Sequence, residues 1–192
     1  MRIPYSDREP VSLSPTTMEA VARNILRLLQ ILWALLLTAL LGNVVANNVA
    51  AAGTATAAVN FGLFATVVAW LAALYGLVTH FVETLAVPLA ALALDGAATL
   101  FTAIAGIVLA AKLRATACGG GLDPKSLGDD WIGFGSTDDE KRCRELQAGT
   151  TFMWFLFACF AASLFFTLAG WRRSGGSVHS AVSSGPMSQL HV

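Results

Sequence analysis

The stretch LAVPLAALALDGAATLFTAIAGIVL, residues 85–109, contains a single charged side chain, that of Asp95. About twenty helical residues span the roughly 30 Å hydrocarbon layer of a bilayer, so this stretch is long enough to cross one. Pro88 falls where the first turn of such a helix would lie, and that position tolerates the missing N–H of proline. The stretch therefore predicts a transmembrane helix.

Three further apolar stretches, residues 28–45, 61–82 and 151–171, are of similar length and contain no Lys, Arg, Asp or Glu. With residues 85–109 they predict an all-α protein, a four-helix transmembrane bundle with both termini on the same side. Residues 46–60 carry no charge and predict a short loop between the first two helices. The second and third stretches follow each other closely, which predicts an antiparallel hairpin.

Composition excludes several classes of function. Of 192 residues, 56% are hydrophobic and 12% are charged, which is a composition typical of membrane proteins and not of a soluble domain of this size. The formal net charge is zero, so the protein has no overall positive field to attract nucleic acid. No nucleophile-base pair or metal triad converges from these helices, and we predict no enzymatic activity, no cofactor and no metal. The first residues are too polar for a cleaved signal peptide.

The chain divides into three segments. Residues 1–22 form a polar lead that ends in the start of an amphipathic helix, residues 23–170 form the membrane domain, and residues 171–192 form a Gly- and Ser-rich tail that we expect to be disordered. Within the membrane domain, polar residues from about 112 to 149 form one long loop. This loop lies on the opposite side of the membrane from both termini.

The basic residues do not orient the protein by number alone. Six lie on the terminal side and six lie in the long loop. Arg23 and Arg27 immediately precede the first apolar stretch, where the positive-inside rule gives them most weight, and they favour cytoplasmic termini. We interpret both as membrane anchors, together with Trp171, Arg172 and Arg173 after the fourth stretch.

Two cysteines, Cys118 and Cys143, bracket the long loop, which is too polar to form its own hydrophobic core. A disulfide between them would constrain the loop by about 3 kcal/mol and would require an oxidising compartment. Two unpaired cytosolic thiols are the alternative, and a metal site is disfavoured because the loop has no His and no CxxC pair. The third cysteine, Cys159, lies within the fourth stretch and is interpreted as a small packing residue.

Asp95 carries the one acidic side chain within the four stretches. An ionisable group at membrane depth could relay protons or substrate, or it could hydrogen-bond to a neighbouring helix through Thr99 or Asn60. Because the stretches contain no basic residue, we expect no basic partner for Asp95, and we favour the packing role. Replacement by Asn should then be tolerated. Small residues recur around Asp95 at helical spacing and predict close helix packing: Ala91, Thr99, Thr102, Gly106 and Ala110.

Four segments carry a family resemblance: RNILRLLQILWALLLTALLGN (23–43), NFGLFATVVAWLAALYG (60–76), LAVPLAALALDGAATLFTAIAGIVLAAKLRATAC (85–118) and KRCRELQAGTTFMWFLFACF (141–160). The most specific elements are Pro88 with Asp95, and Cys118 with Arg142-Cys143-Arg144. In this order the segments resemble the MARVEL-domain tetraspan proteins, and within them the fungal non-classical export and eisosome-associated group.

The resemblance implies a four-helix bundle with cytoplasmic termini and an outer loop closed by a disulfide between Cys118 and Cys143. It implies a non-enzymatic scaffold that organises plasma-membrane microdomains and eisosomes and responds to sphingolipid, with unconventional protein export as a further role. The implied partners are membrane lipids such as sphingolipid or sterol, other membrane or eisosome proteins, and a second copy of the chain.

A small tetraspan transporter or channel that uses Asp95 is the alternative function. It requires a hydrated path, and the sequence offers four polar side chains to line one: Asn43, Asn60, Thr99 and Thr102. A bundle interior filled by Ala, Gly and Leu would argue against this alternative.

Overall fold

A computed structural model describes residues 15–82, 87–114, 117–119, 127–128 and 130–173. Four α-helices follow one another in these ranges: α1 (Pro15–Ala46), α2 (Gly53–Phe81), α3 (Pro88–Leu113) and α4 (Asp139–Arg173). Each is long and apolar enough to cross a membrane. The predicted all-α fold with four spans is confirmed. Most of the predicted N-terminal lead, to residue 14, and the tail from residue 174 lie outside the described residues.

The helices extend beyond the apolar stretches that predicted them. α1 begins at Pro15, and its membrane-crossing segment begins at Val21. α4 begins at Asp139, twelve residues before the predicted start at position 151. Ion pairs one turn apart support this added part of α4, which lies among charged residues: Lys141 with Glu145, and Glu140 with Arg144. Apolarity marks the part of a helix that lies in lipid, and capping and ion pairs decide where the helix ends.

Two predictions were wrong because the helices extend beyond the apolar stretches. The loop between α1 and α2 is shorter than residues 46–60, because α2 begins at Gly53. The expectation that Arg23 and Arg27 lie before the first span also fails, since both belong to the part of α1 that is long and apolar enough to cross a membrane. Arg27 is therefore a residue of the bundle, about one and a half turns past Val21.

The four helices pack in a ring. α1 packs against α2, α2 against α3, α3 against α4, and α4 against α1. The predicted pairing of α2 with α3 is confirmed. Small side chains on α2 let its neighbours approach closely, and the buried alanines on this helix are Ala55, Ala58, Ala65, Ala69, Ala72 and Ala73. Larger apolar side chains from the other helices fill the remaining interior, among them Leu37, Leu41, Leu109, Met153, Leu156 and Phe160.

Large apolar side chains also cover the outside of the bundle. Each helix exposes several, including Leu28 and Leu35 on α1, Phe64 and Leu71 on α2, Leu100 and Ile107 on α3, and Phe155 and Phe165 on α4. A soluble monomer rarely exposes apolar patches of this extent. The bundle is apolar on both its inner and outer faces, as expected when lipid surrounds it.

Candidate functional site

Asp95 is paired with Arg27. The Arg27 guanidinium donates from Nη1 to Asp95 Oδ1 at 2.8 Å and from Nη2 to Oδ2 at 2.7 Å. The Arg27 side chain is 16% exposed and that of Asp95 is 3% exposed. The prediction that Asp95 lacks a basic partner was wrong, because Arg27 lies within the membrane-crossing part of α1 and not at its entrance. Its interpretation as a surface anchor is wrong for the same reason.

Two further side chains complete an intramembrane polar cluster, which consists of Arg27, Gln30, Asp95 and Ser163. Gln30 Oε1 accepts a hydrogen bond from Arg27 Nη1 at 2.8 Å, and Gln30 Nε2 donates to the Cys159 carbonyl at 3.3 Å. Ser163 Oγ donates to Asp95 Oδ2 at 3.3 Å. The cluster thus connects α1, α3 and α4. The ion pair itself joins α1 to α3, the helices at opposite corners of the ring.

The remaining helix, α2, contributes a glycine to the same cluster. A Cβ atom added at Gly76 of α2 would lie 2.8 Å from Arg27 Nη2, and closer still to Nε and Cζ. Carbon and nitrogen atoms that are not bonded do not approach this closely. The Arg27 guanidinium therefore occupies the space that a side chain at position 76 would take and would have to shift if one were added, and all four helices meet at this cluster.

Gly76→Ala should destabilise the protein by about 3 kcal/mol, because the added methyl group displaces the guanidinium and leaves Asp95 buried without its partner. Gly96→Ala is the matched control, since a Cβ at position 96 meets no atom within 4 Å. The control should gain up to about 1 kcal/mol from the helix propensity of alanine. Thermal unfolding of both variants in lipid nanodiscs compares them, and equal stability would contradict the account.

The small-residue stripe has mixed roles. Thr99 Oγ1 donates to the carbonyl of Asp95 and Thr102 Oγ1 to that of Ala98, both at 2.6 Å within α3. Thr99 is thus bonded to the main chain of Asp95 and not to its carboxylate, and the other expected partner, Asn60, is exposed on α2. Gly106 lies against the Trp154 indole of α4, where an added Cβ would be 3.3 Å from Cε2. Ala91 is half-buried and Ala110 is exposed.

The remaining predicted anchors lie at one end of the bundle. Arg23, one turn before Arg27, is exposed, as is Arg172 near the end of α4. Trp171 and Arg173 belong to the last turn of α4, and their side chains lie outside the described part of the structure. Position 23 therefore differs from position 27 in burial although both carry arginine on the same helix.

The electrostatics of the cluster favour a fixed arrangement. A lone charge at membrane depth is costly, whereas a bidentate pair with further hydrogen bonds compensates both charges. Among the described residues, every buried side-chain nitrogen and oxygen has a hydrogen-bond partner. The same residues contain no group of three His, Cys, Asp or Glu side chains able to hold a metal ion. The chemistry that this site offers is mutual neutralisation across the bundle.

The structure joins Cys118 and Cys143 in a disulfide, with a Cα–Cα distance of 5.6 Å. Both cysteines are buried, whereas cysteines in an open polar loop would be exposed to solvent. The loop does not form a separate hydrophobic core. Trp131 and Ile132 are fully buried and belong to the same hydrophobic cluster as the interior of the helices, and Trp131 Nε1 donates to the Leu113 carbonyl at 2.8 Å.

The disulfide and residues 130–143 together form a cap on the bundle, and this cap also contacts the α1–α2 connection. The Val49 N–H donates to the Gly135 carbonyl at 2.8 Å. Arg142 is buried, and it donates from Nε to the Ile132 carbonyl at 3.0 Å and from Nη1 to Asn48 Oδ1 at 3.3 Å. The two connections on this side of the membrane therefore form one structured cap.

Sequence reasoning missed Gln30, Gly76, Trp131 and Ser163. A usable signal existed for Trp131, because the segment WIGF at residues 131–134 is apolar within an otherwise polar loop. Gln30 is one turn from Arg27 inside an apolar helix, which is also a signal. Gly76 and Ser163 are ordinary residues of membrane helices and carry no comparable signal.

Comparisons with known proteins give one family and one similar relative. The profile of the MARVEL family, described as a membrane-associating domain, matches residues 20–166. The chain is similar to Non-classical export protein 2 of Saccharomyces cerevisiae, with 32% identity over 146 residues that cover 76% of this chain and 79% of that protein. A comparison with solved structures finds no match.

Proposed function

Because this chain belongs to the MARVEL family of membrane-associating domains, we propose that it is a non-enzymatic scaffold that organises lateral domains of the plasma membrane. One observation carries the proposal: Arg27, Gln30, Asp95 and Ser163 satisfy one another inside the bundle, while large apolar side chains are exposed on all four helices. The broadest surface that such a protein offers to a partner is its lipid-facing exterior.

The polar residues that a transport path would need do not converge. Asn43 donates to Glu145 at 2.6 Å near the outer cap, and Asn60 is exposed on α2. Thr99 and Thr102 bond to carbonyls of their own helix. Asp95 is buried, and its carboxylate is paired with Arg27 and accepts a further hydrogen bond from Ser163. This arrangement favours the scaffold over a transporter or channel that uses Asp95.

The finer role rests on the relationship to the export protein. We propose that the chain acts in plasma-membrane microdomains of the eisosome type, responds to sphingolipid, and supports unconventional protein export. Its partners would be membrane lipids such as sphingolipid or sterol, other membrane or eisosome proteins, and a second copy of itself. All of these would contact the helix exteriors, where shape and apolar packing give recognition within lipid.

Imaging tests this proposal. A tagged copy should colocalise with an eisosome marker in patches at the plasma membrane, and sphingolipid depletion should change the fraction within these patches. A tagged, unrelated four-span plasma-membrane protein of similar size controls for crowding. A uniform distribution that does not respond to depletion would contradict the proposal.

We further propose that both termini are cytoplasmic, with the disulfide-bonded cap outside. The exposed basic residues Arg23 and Arg172 lie at the terminal end, and a disulfide persists in an oxidising compartment. Protease added to intact cells should spare tags at Met1 and Val192 and should cut an epitope inserted next to Gly128. Cleavage of the terminal tags with survival of the epitope would reverse the orientation.

A further inference from the structure

A cavity of about 330 Å³ lies where α3 ends at the outer cap. It is lined by Val108, Ala111, Lys112, Arg114 and Asp130. The part of α3 that is long and apolar enough to cross a membrane ends at Leu113, so the cavity lies where this helix would leave the bilayer. Its lining changes from apolar to charged along α3, from the lipid side toward the aqueous side.

The charged side chains of this cavity are arranged around one carboxylate. Lys112 Nζ lies 3.9 Å from Asp130 Oδ2, and Arg114 Nη2 lies 3.9 Å from Asp130 Oδ1. Direct charge-assisted hydrogen bonds are shorter, at about 2.7–2.9 Å. Asp130 therefore spaces two cations without binding either closely, and the three groups together carry one net positive charge. A phosphodiester carries one negative charge and can accept hydrogen bonds from both cations.

Arg114 has an unusual backbone conformation at this site. Its φ is 58° and its ψ is 179°, and it is the one non-glycine residue with positive φ in the described part of the chain. Side chains rarely tolerate this region, and such conformations concentrate where function requires them. The Arg114 side chain donates a hydrogen bond from Nη1 to the Leu127 carbonyl at 3.1 Å, and its Nη2 faces Asp130.

We propose that this cavity binds the phosphodiester headgroup of a membrane lipid, with the phosphate between Lys112 and Arg114. The acyl chains would then follow the apolar face of α3 past Ala111 and Val108. Ile107 and Ile104 continue this exposed face toward the bilayer centre. The site deepens the proposed function, on which it rests, by giving the scaffold a lipid contact at the outer membrane edge.

Titration of dioctanoyl-phosphatidylglycerol into the purified full-length protein, followed by native mass spectrometry, tests the site. Replacing both cations, Lys112→Gln with Arg114→Gln, should lower the affinity about tenfold, since two charged contacts are lost. Asp130→Asn should raise the affinity severalfold because it removes the competing anion. Arg114→Gly should also weaken lipid binding, because it removes the guanidinium. Glycine adopts positive φ readily, so this change should not destabilise the backbone, and lower affinity could not be attributed to misfolding.

Lys141→Gln is the matched control, because Lys141 is an exposed cation of the same outer side that lies outside this cavity. Its lipid affinity should equal that of the unmodified protein. Equal affinity for the double variant and this control would overturn the site. Displacement of the lipid by inorganic phosphate at comparable concentration would also overturn it, by indicating a soluble anion as the ligand. Neither outcome bears on eisosome localisation, which is imaged separately.

Discussion

Asp95→Asn is expected to destabilise the bundle by about 3–5 kcal/mol, because it leaves the Arg27 guanidinium buried without its counter-charge. The amide keeps the shape of the carboxylate, so steric effects do not explain such a loss. Arg27→Met should cost a similar amount by leaving Asp95 unpaired. The sequence alone led to the opposite expectation, that Asn would be tolerated at position 95.

The double variant Arg27→Met with Asp95→Leu separates charge from packing. Replacing a buried ion pair by apolar residues of similar volume is often neutral or stabilising, so this variant should recover most of the stability that each single change loses. Arg23→Met, at the exposed arginine one turn earlier, controls for removal of a positive charge from α1 and should change stability by less than about 1 kcal/mol. Thermal unfolding in nanodiscs measures these variants together with the single Asp95→Leu variant. A loss in the double variant equal to the sum of the Arg27→Met and Asp95→Leu losses would contradict the pairing.

Loss of the disulfide is the second large effect. The bond joins residues 25 positions apart, and opening it should cost about 3 kcal/mol in the chain-entropy description. The loss of stability should be concentrated in the cap, because the disulfide closes the same loop in which Trp131 bonds to the Leu113 carbonyl and Arg142 to the Ile132 carbonyl. Cys118→Ser is therefore expected to lower the unfolding temperature and to raise hydrogen exchange at residues 130–143.

Two comparisons check this prediction. Cys118→Ser with Cys143→Ser should cost no more than the single change, whereas Cys159→Ala, at the half-buried cysteine of α4, should leave the cap unchanged. Thiol-specific labelling should reach Cys118 and Cys143 only after a reductant is added. Labelling of both in oxidised membranes, or an unfolding temperature that does not respond to reductant, would contradict the prediction.

The fold could be predicted from sequence because the bilayer imposes a simple requirement on length and apolarity. Residues 85–109 satisfy it, and α3 (Pro88–Leu113) crosses as expected. The start of α4 at Asp139 could not be predicted in the same way. Ion pairs such as Glu140 with Arg144 extend the helix into water, where an apolar pattern gives no information.

The sequence predicted only part of the polar cluster. Asp95 stood out as an acidic residue at membrane depth, but its partner is 68 residues away and looked like a surface anchor. Whether Arg27 is an anchor or a buried partner depends on where α1 begins and on the absence of a side chain at Gly76. Both are properties of the packed bundle, and no local pattern around Arg27 encodes them.

The charge-free double variant in cells tests the central claim most directly. If the Arg27–Asp95 pair has a structural role in a lateral scaffold, Arg27→Met with Asp95→Leu should form plasma-membrane patches indistinguishable from those of the unmodified protein. The purified variant must first unfold at the unmodified protein's temperature. A variant with that stability and normal abundance that no longer forms patches would contradict the account and would indicate that the charges themselves perform the function.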